Sequence, residues 1–195
     1  MTTPDLSAAA SRLCADCGMC CNGVLFHTVR LQPADSAKAL AALGLKLKRK
    51  QGQHYIQQPC PALKTSHCSI YTARPERCRL FECRQLQRVA AGELTEPMAR
   101  DKIREARRLV AEVNSLLLHA GGTNLKHPLS KRWDKALAEP LDSAAPPTAW
   151  ENRQQLTQSV LKLSALLDQD FRIIPTGPPA WAQAAPALTD LGESP

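Results

Sequence analysis

Eight cysteines dominate the chemistry open to this 195-residue chain, and none lies beyond position 83. They fall into two groups along the sequence. Cys14, Cys17, Cys20 and Cys21 form C-x2-C-x2-C-C; Cys60, Cys68, Cys78 and Cys83 follow at wider intervals. Thiolates at this density read as metal ligands. Two thiolates three residues apart, as in Cys14-Ala15-Asp16-Cys17-Gly18, can face one metal if the chain turns tightly between them. Gly18 permits that turn, because glycine adopts a positive φ without steric cost and lets backbone N–H groups point at sulfur. Such knuckles surround both zinc and iron–sulfur centres. Cys20 extends the run to the opening spacing of bacterial 4Fe–4S ferredoxins, whose last ligand precedes a proline. Here a remote Cys60-Pro61 is the nearest equivalent. Cys21 is awkward, since adjacent side chains seldom reach one ion; it either serves the other site or stays free.

The second group sits among Lys64, His67, Arg74, Arg77, Arg79 and Arg84. Cations near a thiolate favour its charged form. Arg77 and Arg79, flanking Cys78, are candidates to donate hydrogen bonds to ligand sulfurs. His67 adjoins Cys68 and reads as surface; His27 and His54 read as structural. A thioredoxin-like reading of C-x-x-C fails, because no βαβ pattern surrounds it and six more cysteines need a role. Phosphate loops, H-E-x-x-H, Ser/His/Asp signatures and the C-x3-C-x2-C of radical S-adenosylmethionine enzymes are absent from the sequence.

Charge and composition narrow the setting. The start of the chain shows no cationic segment followed by an apolar one, and no run of about 18 apolar residues occurs, so the expected location is the cytoplasm without a membrane span. Thiols stay reduced there, which favours metal over disulfides. The net charge is +7. Residues 1–95 hold 13 Lys+Arg against 6 Asp+Glu, whereas 96–195 hold 12 of each. Four thiolates around a dication sum to about −2, so two such sites would lower the excess to about +3. The basic excess therefore reads as internal compensation ahead of a nucleic-acid surface at Lys46, Lys48, Arg49 and Lys50.

The elements that must position these residues give an α+β expectation: a small metal-organised N-terminal domain with irregular loops and a short hairpin, followed by amphipathic helices. A helix is expected over 5–13 after Pro4, then a strand over Val24–Leu31 and a helix over Ser36–Leu43 ended by Gly44. Leu45–Lys50 and His54–Gln58 form strands joined through Gln51-Gly52-Gln53. Residues 60–83 look loop-like, with a helix from about Cys83 to Gly92. Ile103, Ala106, Val110, Val113 and Leu117 share one helical face, as do Leu156, Val160, Leu163 and Leu167. A short helix fits Leu129–Leu137, and Pro140, Pro146 and Pro147 mark a linker over 138–149. The expected division is 1–95 for the cysteine domain, 96–174 for a helical extension and 175–195 for a disordered Pro/Ala-rich tail.

The runs CADCGMCC at 14–21, Cys60-Pro61 and CSIYTARPERCRLFEC at 68–83 resemble the CxxCxxCC, or YkgJ-like, cysteine-cluster family. Ile70-Tyr71, Arg74-Pro75, Cys78-Arg79 and Phe81 fit the same pattern over roughly residues 10–95. The resemblance implies a zinc- or iron-chelating domain, often labelled an iron–sulfur cluster protein, with all eight cysteines as metal ligands. Some relatives carry the motif in flagellin lysine N-methylases, which implies an enzyme as one alternative. Three classes therefore stand: a redox or metal/cluster-handling module, an iron–sulfur-dependent modifying enzyme, and a zinc-stapled module binding nucleic acid or protein. The cofactor expected first is an iron–sulfur cluster, of the 4Fe–4S type by spacing, with Zn2+ as the alternative.

Overall fold

The computed structural model describes residues 6–122, 124–174 and 177. The elements run α1 (Leu6–Cys17), β1 (Thr28–Arg30), α2 (Ala37–Ala42), β2 (Leu47–Lys50), β3 (Gln53–Gln57), β4 (Leu63–Lys64), β5 (His67–Cys68), α3 (Glu76–Leu80), α4 (Arg84–Ala90), α5 (Glu96–His119), α6 (Leu129–Ala138) and α7 (Pro147–Asp170). The class is α+β, with small antiparallel sheets and strands ahead of the long helices. Among the described residues no helix is long and apolar enough to cross a membrane. Pro4 and Asp5, expected before the first helix, and the expected tail apart from Gly177, lie outside the described residues.

The three-stranded sheet has the order β1-β3-β2. Its hairpin is closed by Gln51 and Gly52 at φ 49° and 78°, and Lys50 pairs with Gln53 across the turn. Two successive positive φ angles match the right-handed twist of the flanking strands. Ile56 is buried and pairs with Val29 on one side and Leu47 on the other. With Leu31, Leu40, Leu45 and Ala62 it forms a small core. Ser36 Oγ accepts from Ala39 N–H at 3.2 Å at the start of α2. Gly44 ends that helix at φ 88°.

The strand expected over Val24–Leu31 forms only at Thr28–Arg30. The reason is local. Asn22 Oδ1 accepts from Val24 N–H at 3.1 Å, Gly23 takes φ 85°, and Leu25 N–H donates to Met19 O at 3.1 Å. This turn spends the backbone groups a ladder would need. α1 also runs further than expected and carries Cys14 and Cys17 in its last turns.

In α5 the buried face is Ala99, Ile103, Ala106, Leu109, Val113 and Leu117. Leu109, rather than Val110, fills the middle position, since Val110 is only partly buried. In α7 Leu156, Val160, Leu163 and Leu167 are all buried. The two helices run antiparallel. Lys102 Nζ lies 3.7 Å from Asp170 Oδ2, whereas farther along α5 Glu112 Oε1 accepts from Ser159 Oγ at 2.5 Å. Their shared core continues into Leu13, Met19, Val24, Leu86 and Val89, directly behind the first cysteines. Arg107 Nη1 donates to Asp16 O at 2.6 Å, and Arg100 pairs with Asp16, tying the end of α1 to α5. Cations at a helix C-terminus also oppose its dipole favourably.

Candidate metal centre

Two walls hold the cysteines. On the helical wall, Cys14 and Cys17 lie one turn apart on α1, so both sulfurs share a face. Gly18 stops the helix at φ 65°, and its N–H donates to Cys14 O at 3.2 Å. A Cβ on Gly18 would meet Ser66 O at 3.3 Å, so glycine also lets the turn between β4 and β5 approach. Gly18 O then accepts from Cys21 N–H at 2.9 Å and Asn22 N–H at 3.0 Å, folding the chain back on itself. Cys83 joins this wall from the start of α4, where Arg84 N–H donates to Phe171 O at 3.1 Å. Cys14, Cys17 and Cys83 all pack on the large helical core.

On the sheet wall, Cys60 N–H donates to Cys21 O at 2.7 Å, and Leu63 N–H donates to Cys60 O at 3.0 Å. Leu63 then pairs with Cys68 in the β4–β5 ribbon. Cys78 sits in α3, where Asp35 Oδ1 accepts from Glu76 N–H at 2.9 Å. Cys60 and Cys68 pack on the small core.

All eight cysteines line one cavity of about 1000 Å³. None is in a disulfide, and each keeps part of its surface accessible. Burial dominates the chemistry of seven of these thiols. It pushes Cys14 and Cys78 up to about 11, and Cys17 and Cys21 up to about 12. Burial also raises Cys20, Cys60 and Cys83. Neighbouring thiols add to the rise in two sets. Cys20 feels Cys17, Cys83 and Cys14 before Cys21, whereas Cys21 feels Cys60, Cys78 and Cys68 before Cys14.

Some groups oppose burial. Backbone N–H groups lower Cys17 (Met19), Cys60 (Ala62 and Leu63) and Cys83 (Leu86 and Gln85). At Cys83 these groups are directed at the sulfur without closing a formed cap hydrogen bond. Arg74 lowers both Cys14 and Cys78, and Arg107 lowers Cys17. Arg74 is held in place: its guanidinium lies 3.6 Å over the Tyr71 ring and Nε donates to Tyr71 O at 2.8 Å. Tyr71 OH in turn is 2.8 Å from Ser11 Oγ on α1. Arg77 and Arg79 line the exposed mouth of the cavity. Arg84 donates instead to Gln169 O at 2.8 Å, at the end of α7. His67 is exposed beside Cys68.

The residue types fit a thiophilic metal, since soft thiolates select zinc and iron–sulfur clusters. As the side chains stand, no three Cys, His, Asp or Glu among the described residues converge enough to share one ion. A single tetrahedral zinc needs sulfurs about 4 Å apart, at Zn–S near 2.3 Å. Gln58 and Gln85 also line the cavity, nearly fully buried, each with an Oε1 that has no hydrogen-bond partner. Neither glutamine, nor Arg107 far along α5, carries a sequence signal; only the packing brings them to the site.

Residues 13–102 match the family model CxxCxxCC, described as "Putative zinc- or iron-chelating domain". The resemblance read from the cysteine runs is therefore borne out for this segment, which is similar to that cysteine-rich family. No curated protein and no solved structure matches the chain.

Proposed function

We propose that this protein is a cytosolic redox or metal/cluster-handling module that holds an iron–sulfur cluster through its clustered cysteines. The carrying observation is that eight free cysteines from distant parts of the chain face one cavity of about 1000 Å³. Free thiols suit a reducing compartment. Soft ligands and a roomy, partly water-shielded site suit a cluster, which when bound supplies one-electron chemistry. The chain's own residues set its surroundings. Met19, Ala62 and Leu63 direct N–H groups at ligand sulfurs, Arg74 lies between Cys14 and Cys78, and Arg77 and Arg79 at the mouth donate to the sulfurs of the bound form. Hydrogen bonds to cluster sulfurs and limited solvent access both tune potential.

Protein purified without oxygen is expected to be brown, with broad visible absorption and equal iron and acid-labile sulfide. Colourless protein with stoichiometric zinc and no sulfide would overturn the cluster reading in favour of a zinc site. A second reading, a modifying enzyme, draws on Gln58 and Gln85, whose free Oε1 atoms offer acceptors beside the thiols. If it holds, Gln85→Leu lowers turnover of a substrate without lowering metal content. Equal loss of both would assign Gln85 to the fold.

A further inference from the structure

We propose that the eight thiols form two four-thiolate centres that cross the order of the sequence: Cys14, Cys17, Cys20 and Cys83 on the helical wall, and Cys21, Cys60, Cys68 and Cys78 on the sheet wall. This rests on the metal-binding reading above and adds the number of centres and the ligand set of each.

The two hydrophobic cores carry the division. Cys14, Cys17 and Cys83 pack on the helical core, whereas Cys60 and Cys68 pack on the core beneath the sheet. Cys83 is remote in sequence from Cys17, yet α1 and α4 are in contact, and Leu13, Leu86 and Val89 share one core. Cys21 is adjacent to Cys20, yet its carbonyl accepts from Cys60 N–H at 2.7 Å, which fixes it to the other wall. The reversal through Gly18, with Cys21 N–H and Asn22 N–H both on Gly18 O, turns the chain between the walls at that dipeptide. Neighbouring side chains then need not share an ion. Arg74, stacked on Tyr71, lines the same cavity as both sets, a cation placed among the two anionic centres.

The test loads the full chain without oxygen and measures metal and sulfide per chain in serine variants. Cys83→Ser and Cys21→Ser are each expected to halve the wild-type content. Cys14→Ser combined with Cys83→Ser should lose no more than either alone, and Cys21→Ser combined with Cys83→Ser should lose everything. If instead Cys14→Ser with Cys21→Ser stays at half, the centres follow the sequence order and the proposal fails. It also fails if one substitution empties the protein while far-UV helicity is kept, which means a single shared centre. Should the variants unfold, the wild type decides: during stepwise chelator stripping, mass-resolved alkylation should reach the two sets in separate phases, and simultaneous labelling of all eight overturns the proposal. Wild type that retains no metal overturns the metal-binding reading itself. Wild type that holds zinc without sulfide overturns only the cluster reading, and the same halving, from two ions to one, then tests the partition.

Discussion

A thiol on the cavity wall stays protonated at neutral pH until a metal displaces the proton, because burial has raised Cys14, Cys17, Cys21 and Cys78 from 9.0 to about 11 or 12. Metal uptake must therefore release protons. In the metal-free protein the sign is fixed by linkage. A folded pKa above the unfolded value contributes stability that is complete below pH 9 and lost as pH rises toward 11 and 12. The melting temperature in excess chelator is expected to hold to about pH 8 and fall beyond 9; a level profile to pH 11 would contradict the burial of these thiols. Arg74 acts against burial at Cys14 and Cys78. Arg74→Ala should move metal release to higher pH, since without the cation both thiols take protons more readily, and Arg74→Lys should restore part of the difference. Lysine keeps the charge but not the planar stack on Tyr71. Superimposable release curves would remove Arg74 from the site. The cysteines and their spacing were legible in the sequence, but the walls on which the fold sets Cys21 and Cys83 were not. Spacing groups residues along the chain, and the turn at Gly18 together with the α1–α4 packing regroups them in space.

Elements were legible where periodicity and caps agree. The hairpin at Gln51-Gly52, the stop at Gly44 and the stripe of α7 all have local causes. β1 is shorter than the sequence suggests because Val24 and Leu25 look like strand residues, whereas Asn22 and Gly23 commit the preceding backbone to a turn. That turn has a tertiary purpose invisible in the pattern. A Cβ on Gly23 would lie 2.9 Å from Pro128 Cα, and Leu129 N–H donates to Gly23 O at 3.2 Å. Gly23 thus seats the start of α6 on the cysteine turn. Gly23→Ala adds a left-handed penalty of about 1–2 kcal/mol to a backbone clash. A loss of about 2 kcal/mol or more is expected, which in a chain of this size lowers Tm by roughly 4–8 °C. Gly52→Ala, also at positive φ but with open space around it, should cost less. Equal losses would mean that the approach of Pro128 is not restrictive. Val110 is a further discrepancy, beside the longer α1, the short elements β4, β5 and α3 in the loop-like stretch 60–83, and α7, which starts at Pro147 inside the expected linker. Steps of three and four admit either Val110 or Leu109 on the face, and burial in the shared core selects Leu109.

At the scale of the whole molecule, one core links the metal walls to the long helices. Leu13, Met19, Leu86 and Val89 are buried with Ile103, Val113, Val160 and Leu167, and Phe171, fully buried at the end of α7, accepts from Arg84 N–H beside Cys83. Lys102 and Arg88 both reach the buried carboxylate of Asp170, at 3.7 and 3.5 Å, from separate helices. Such sharing predicts that metal and helices melt together. Ligand binding to the native state alone raises its stability by RT ln(1 + [L]/Kd), about 4 kcal/mol at a thousandfold excess over Kd. Because α5 and α7 dominate the helical signal, far-UV circular dichroism reads whether they share in that gain. Removing the metal is expected to lower the helical melting temperature itself in one transition, by roughly 8–16 °C for that occupancy. Two transitions, with the helical one unmoved by chelation, would show instead that α5 and α7 fold as a body of their own and that the cysteine walls merely rest on it.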